Sequence, residues 1–236
     1  MSFKEIESDI KLIYDSTKSD IVNDFFNKVL SESVRYDHIS GLFNPISIAA
    51  AARGMDKFVN NEGHMRLLCG ALLDEEDLKS INNDDLKKLI DQKFLEEYKS
   101  LDDDLIEDYI KVLGWMLANG CLEIKIGVHK ASDGSFTNGM FHTRIGIMYD
   151  ELGDSILFSA SNSEMPQGWR NNIEFLKVFC SWENPEYIED DKKDFETFWN
   201  NLNPYLYVFD VPELTKKKLK EIAPKSREEL EDLLRF

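Results

Sequence analysis

Apolar side chains recur three or four positions apart over residues 3 to 32, first as Ile6, Ile10 and Ile13, then as Ile21, Phe25, Phe26 and Val29. This spacing predicts two helical stretches, broken near residues 16–19, whose apolar faces pack on a sheet. Residues 36–44 (YDHISGLFN) then read as a strand, 48–61 as a helix stopped by Asn60-Asn61-Glu62-Gly63, and 64–73 (HMRLLCGALL) as a strand apolar enough to be buried on both faces. Strand, helix and strand in so short a space make a βαβ start over residues 33–73, with a parallel pair and a right-handed crossover. Residues 74–118 carry no strand signal and predict an acidic helical insert that ends in the apolar helix DYIKVLGWMLANG.

Alternation resumes at Leu122, Ile124, Ile126 and Val128, followed by the turn Ser132-Asp133-Gly134. HTRIGIMYD and SILFSAS flank the turn Glu151-Leu152-Gly153-Asp154 and predict a hairpin, and IEFLKVFCSW is the last core strand. Beyond Trp182, DDKKDFETFWNNL predicts an amphipathic helix, YLYVFD a short strand or extended arm, and two helices end the sequence. The expectation is one α/β domain over residues 1–236: a mixed β-sheet flanked by helices, with a core over 121–182 and a C-terminal helical extension over 183–236. The final helix has a charged face suited to a connector, and there is no internal repeat or Gly/Ser linker.

Composition agrees with a folded chain, since 42% of the 236 residues are hydrophobic and 11% aromatic. The N-terminal stretch is acidic where an export signal needs a basic flank and an apolar run. No segment approaches the roughly 20 apolar residues that span a bilayer, so the sequence predicts a soluble, cytoplasmic protein without a membrane partner. Cys69, Cys121 and Cys180 are widely spaced in apolar contexts and read as buried thiols in a reducing compartment. The net charge of −17 opposes binding of nucleic acid through a broad basic surface, so any phosphate must be held locally. Clustered acids, Asp74 to Asp77 and Asp102 to Asp104 among them, read as a solvated helix face.

The sequence has no Gly-x4-Gly-Lys-Ser/Thr loop, Gly-x-Gly-x-x-Gly, His-Glu-x-x-His or Gly-x-Ser-x-Gly, which removes the nucleotide-motor, dinucleotide, zinc-protease and serine-hydrolase readings. What remains is one cluster. If His142 opens a strand, His142, Arg144 and Gly146 share a face, setting a nucleophile, a cation and a gap in line. Ser161 and Ser163 add hydroxyls at the end of the neighbouring strand, and Glu174 on a third strand can orient an imidazole by accepting its second N–H. Such a cluster suits attack on a phosphodiester through a phospho-histidine, with cation and hydroxyls stabilising the phosphate oxygens and no metal or other cofactor needed. The alternative on residue types alone is a satisfied core histidine in a strand hairpin.

The segments FHTRIGIM, FSASNSEM, NNIE and CSW resemble the signature of the phospholipase D-like superfamily, above all the domain found ahead of the motor in prokaryotic helicases of restriction and defence type. In that group the signature runs Phe-His-x-Lys-x-Gly-Ile-Phe, then Phe-Ser-Gly-Ser-x-Asn-Glu-Thr, then Asn-x-Glu, then Ser-Trp. The resemblance extends through ISGLFN, ARGMDKFVNNEGHMRLLCGALL, LGWMLANGCLEIKI, FETFW and VPEL, covering most of residues 36 to 224. It implies a phospholipase D-like sheet and a metal-independent phosphodiesterase or nuclease acting on nucleic acid, DNA first. In these roles His142 is the nucleophile, Glu174 orients it, and Arg144, Ser161 and Ser163 bind phosphate.

Three positions depart from that signature: Arg144 stands for lysine, Ala160 for glycine and Ser163 for asparagine, with Asn162 one position out of register. The alternative is therefore a catalytically degenerate phosphate-, DNA- or protein-binding module tied to a helicase or restriction system, with the motor in the same or a neighbouring chain. The superfamily uses two such histidines, and His38, His64 and His129 lack a cation two residues on. His38 and His129 therefore read as structural, and an isologous homodimer is expected to bring two His142 sites together.

Overall fold

A computed structural model describes residues 2–52, 54–71, 73–78, 81–139, 144–160 and 175–234. At its centre lies a mixed sheet flanked by helices. Its strands are β1 (Ile13–Asp15), β2 (Arg35–Ser40), β3 (His64–Gly70), β4 (Leu122–His129), β5 (Ile145–Tyr149), β6 (Ser155–Ala160), β7 (Phe175–Cys180) and β8 (Leu206–Asp210). They lie in the order β1-β7-β6-β5-β2-β3-β4-β8. Strands β2, β3 and β4 run parallel, and every other neighbouring pair is antiparallel.

The β2–β3 crossover carries two short helices rather than one long one. Helix α1 (Asn27–Ser31) follows a π-helical turn at Val22–Phe26, and α2 (Pro45–Ala51) and α3 (Asp56–Asn60) fill the crossover itself. The single helix expected over residues 48–61 is divided at Gly54, whose φ of +70° takes the chain out of helical geometry. An added Cβ there would lie 2.6 Å from the Asn27 side chain. Helix α2 also begins earlier than expected, because Pro45 suits a first turn and the Asn44 side chain accepts the Ser47 N–H at 2.7 Å.

The β3–β4 crossover is the acidic stretch, which forms α4 (Asn83–Lys99) and α5 (Asp104–Ala118). Its acids at 74–76, 84–85 and 102–104 face solvent, while Ile106, Ile110, Leu113 and Met116 of α5 are buried. Helices α7 (Glu213–Ile222) and α8 (Arg227–Leu233) pack on α5. The approach is close at Gly114, where a Cβ would come within 2.3 Å of the Leu219 carbonyl oxygen. Asp91 departs from the solvated pattern: it is buried and caps α7, accepting the Thr215 N–H at 2.8 Å and its hydroxyl at 2.7 Å.

The helix expected first in the chain does not form. Residues 3–9 make two 3₁₀ turns, Phe3–Glu5 and Glu7–Asp9, and Ile13–Asp15 joins the sheet edge beside β7. Ile6, Ile10 and Ile13 mimic a helical stripe, but Ile13 is 58% exposed and the inward anchors are instead Phe3 and Tyr14, both fully buried. YLYVFD, left open as strand or arm, is strand β8 on β4.

Alternation divides the sheet into two faces. One carries Tyr36, Met65, Leu67, Ile124, Met148, Ile156, Phe158 and Val178 into the main core under α1, α2, α3 and α5. The other carries Ile39, Leu68, Ile147 and Leu157 against Ile188, Phe195 and Trp199 of α6 (Pro185–Trp199). Helix α6 is also held by charge. Asp37, 1% exposed, accepts from Arg35 at 3.2 and 2.6 Å and from Arg66 at 2.7 and 2.8 Å, and Arg66 reaches Glu196 of α6 at 2.6 Å. Arg66 also lies 4.7 Å over the Phe195 ring.

The hydrogen bond from Arg66 holds the Glu196 carboxyl below its ordinary value of 4.5. A carboxylate with a lowered folded pKa stabilises the fold above the unfolded value, and that contribution is lost as pH falls through the folded one. Denaturant titrations between about pH 5 and pH 3 should therefore show a steeper loss of stability in the wild type than in Glu196→Gln. Parallel pH profiles would refute the anchoring role of this pair.

Candidate functional site

The hairpin of β5 and β6 occupies the middle of the sheet, and its two ends are fixed differently. At the turn, Asp150 accepts the N–H of Leu152 at 3.0 Å and of Asp154 at 2.9 Å through one oxygen, and the N–H of Phe3 at 2.9 Å through the other. Gly153 takes the positive φ of +89° that the turn requires. At the open end the Ala160 N–H donates to the Arg144 carbonyl at 3.2 Å. Ile145 pairs with Ile39 on one side and Ser159 on the other, and Ala160 pairs with Leu176. Ser40, Arg144, Ala160 and Phe175 are thereby gathered at one edge, where β2 ends, β5 begins, β6 ends and β7 begins.

Arg144 directly precedes β5, and the alternation of that strand places it on the same face as Gly146 and Met148. The residue is half-buried, with its Nε shielded from solvent. His142, Ser161, Ser163 and Glu174, together with Asn162, lie outside the described residues. Of the expected site residues, the geometry here is that of Arg144 and its surroundings.

One row behind Arg144, His38, Gly146, Phe158 and Val178 lie side by side across four strands. The gap expected at Gly146 is filled. A Cβ built there would sit 2.1 Å from the Phe158 ring, so the glycine exists to let that ring lie flat across the strand. Phe158 also meets Phe25 and Phe26 edge-on, at 5.8 and 5.2 Å between ring centres. His38, 7% exposed, lies 5.9 Å from Phe158, and its Nδ1 is 3.1 Å from the Tyr36 hydroxyl. This agrees with a structural histidine, although its place directly beneath the site edge was not legible from YDHIS.

The other described histidines, His64 and His129, are remote from this row. His64 lies 3.4 Å from Glu123 near the opposite end of the sheet, and His129 is 2.5 Å from the Thr137 hydroxyl at the end of β4. Cys69 and Cys180 are buried as expected, and burial pushes the Cys180 thiol up to about 12. Cys121 is instead half-buried, because it sits in the turn before β4 rather than within the strand. Among the described residues, no cluster of three or more His, Cys, Asp or Glu could hold a metal, and no helix is long and apolar enough to cross a membrane.

No family model matches the chain. No curated protein matches it either. Among solved structures it is similar to NucT from Helicobacter pylori, at 13% identity and a TM-score of 0.42, over 78% of this chain and 94% of that one. It is also similar to TrmBL2, an archaeal chromatin protein with a novel mode of DNA binding, at 12% identity and a TM-score of 0.37, over 84% of this chain and 56% of that one. Likenesses at these values set no family.

Gly146→Ala should cost about 1–3 kcal/mol in urea unfolding, as overpacking at a filled position does. The loss should shrink when Phe158→Leu is introduced alongside it; equal losses in both backgrounds would show that the ring is not what the glycine serves.

Proposed function

We propose that the chain is a nuclease-like phosphodiesterase of phospholipase D type, working as a homodimer on nucleic acid. The observation that carries this reading is where the signature attaches to the sheet. The segments holding His142, then Ser161 and Ser163, then Glu174 adjoin Arg144, Ala160 and Phe175, which stand on adjacent strands at one edge. Three separate segments of the chain thus adjoin one edge of the sheet, and Arg144 brings a cation to it.

In the proposed reaction an imidazole nitrogen of His142 attacks phosphorus, forming a P–N bond as the P–O bond to the leaving group breaks. His142 of a second copy gives its proton to the leaving oxygen, then takes a proton from the water that hydrolyses the phospho-histidine. Arg144, Ser161 and Ser163 neutralise charge on the non-bridging oxygens, and Glu174 orients the nucleophilic ring. Arginine keeps the charge and can hold phosphate through two N–H groups, but it is not equivalent to lysine at a tightly packed site.

The three departures at Arg144, Ala160 and Ser163 favour a second reading, a phosphate- or DNA-binding module that has lost turnover and serves a helicase or restriction system. Cleavage of single- and double-stranded DNA in EDTA separates the two. The first reading expects wild-type cleavage, a fall of about 1,000-fold in His142→Ala and of about 100-fold in Arg144→Ala. Equal residual cleavage in wild type and His142→Ala removes it, and weak, salt-dependent binding without cleavage selects the second.

A further inference from the structure

At the same end of the sheet, beyond β4, the chain makes a small hairpin that returns to pair Phe136 with Lys130. The Lys130 N–H donates to the Tyr205 carbonyl at 2.9 Å, which joins this hairpin to the start of β8. The Phe136 ring lies 5.7 Å from Tyr207, and Tyr207 lies 5.3 Å from Phe209, so three rings run in a row along the outer strands. Phe209 is buried and roots the row in the core, while Phe136 and Tyr207 are half-buried and border a cavity of about 430 Å³. Leu78 and Ile81 line its apolar side; Lys130 and Asn83 bring polar groups.

We propose that this cavity is a base-binding subsite for single-stranded nucleic acid, with a nucleobase against Phe136 and Tyr207 and the adjoining phosphate on Lys130. The inference rests on the function proposed above and specifies its substrate. The volume falls in the range of small-ligand sites, about 300–1,000 Å³. Its described lining contains a cation and no carboxylate, in a chain of 45 acids and net charge −17. Lys130 makes no ion pair among the described residues, and the nearest acids on the loop before Leu78, Asp74 and Asp77, are paired with Lys93 at 3.3 and 2.5 Å. Asp133 on the hairpin accepts from the Ser135 backbone and hydroxyl at 2.9 and 2.6 Å.

Charge also decides the kind of substrate. A strongly acidic protein cannot hold a polyanion by a broad electrostatic field, whereas stacking on a ring is indifferent to net charge. Duplex bases have their faces covered by neighbours, so a ring platform selects an unpaired strand. Strand β4 lies three strand spacings from β5, and Lys130 five residues past the row of Ile145. The subsite is then about 20 Å from Arg144. That separation equals about six stacked nucleotides at 3.4 Å each, fewer for an extended strand.

The test is binding of fluorescein-labelled octathymidylate to the full chain carrying His142→Ala, with thermal melts to confirm folding. Phe136→Ala should weaken binding about 5- to 100-fold. Phe136→Leu should be as weak, since it restores apolar bulk without a ring, and Phe136→Trp should bind within about twofold of the parent. Lys130→Ala should flatten the slope of log K against log salt by about 0.7. Parental affinity in Phe136→Leu, an unchanged salt slope in Lys130→Ala, or no binding by the parent each overturns the subsite. Hydrolysis of bis(p-nitrophenyl) phosphate, a substrate too small to reach both places, by the chain with His142 intact reports on the reaction alone. If it proceeds while Phe136 proves irrelevant, only the subsite falls; if it is absent while binding still needs Phe136, the subsite stands and the enzymatic reading falls.

Discussion

One carboxylate that water scarcely reaches, Asp37 on β2, holds two guanidinium groups in place, Arg35 on the same strand and Arg66 on β3. Leaving such a group unpaired would cost several kcal/mol, so Arg35, Arg66 and through it Glu196 are bound to one arrangement. That arrangement seats α6, and α6 in turn buries the aliphatic back of β5 and β6 through Ile188. The candidate edge stands on the front of those strands. Alternation makes β2 the pivot: Asp37 and Ile39 serve the α6 side, while Tyr36 and His38 serve the main core beneath Arg144.

The front face depends on aromatic packing more than on charge. Phe158 occupies the space over Gly146, is backed by Phe25 and Phe26 and supports the His38 ring. This leaves little freedom one row below the site edge. A rigid base beneath Arg144 and a net charge of −17 are the setting in which the phosphate-holding role proposed above would operate.

Much of the sheet was legible because its strands are buried in distinguishable ways. Residues 64–73 read as a strand covered on both faces, of which His64–Gly70 forms β3, while 122–128 read as an alternating strand and Glu151-Leu152-Gly153-Asp154 as a hairpin turn. Sequence spacing failed where a tertiary contact chose the structure. The apparent helix at Ile6, Ile10 and Ile13 gave way to Phe3 and Tyr14, whose burial depends on partners more than a hundred residues away. The helix expected over residues 48–61 ran straight through Gly54, yet the approach of Asn27 needs its positive φ. Arg144 was singled out by its motif spacing, whereas Phe158 over Gly146 needed strand register, which no local pattern supplies. The Phe136 and Tyr207 pairing was hidden for the same reason, since β8 joins β4 across some eighty residues of chain.

The N-terminal tether has a consequence for how the chain acquires its fold. Phe3 binds Asp150, and β1 pairs with β7 through Tyr14 and Leu176, so these residues find their partners only after more than a hundred further residues have been made. Such distant closures are slow compared with the β2–α2–α3–β3 unit, whose contacts span about thirty residues. Growth from the parallel half outward, with β1 sealing its edge only once β7 is in place, is the order that this topology favours.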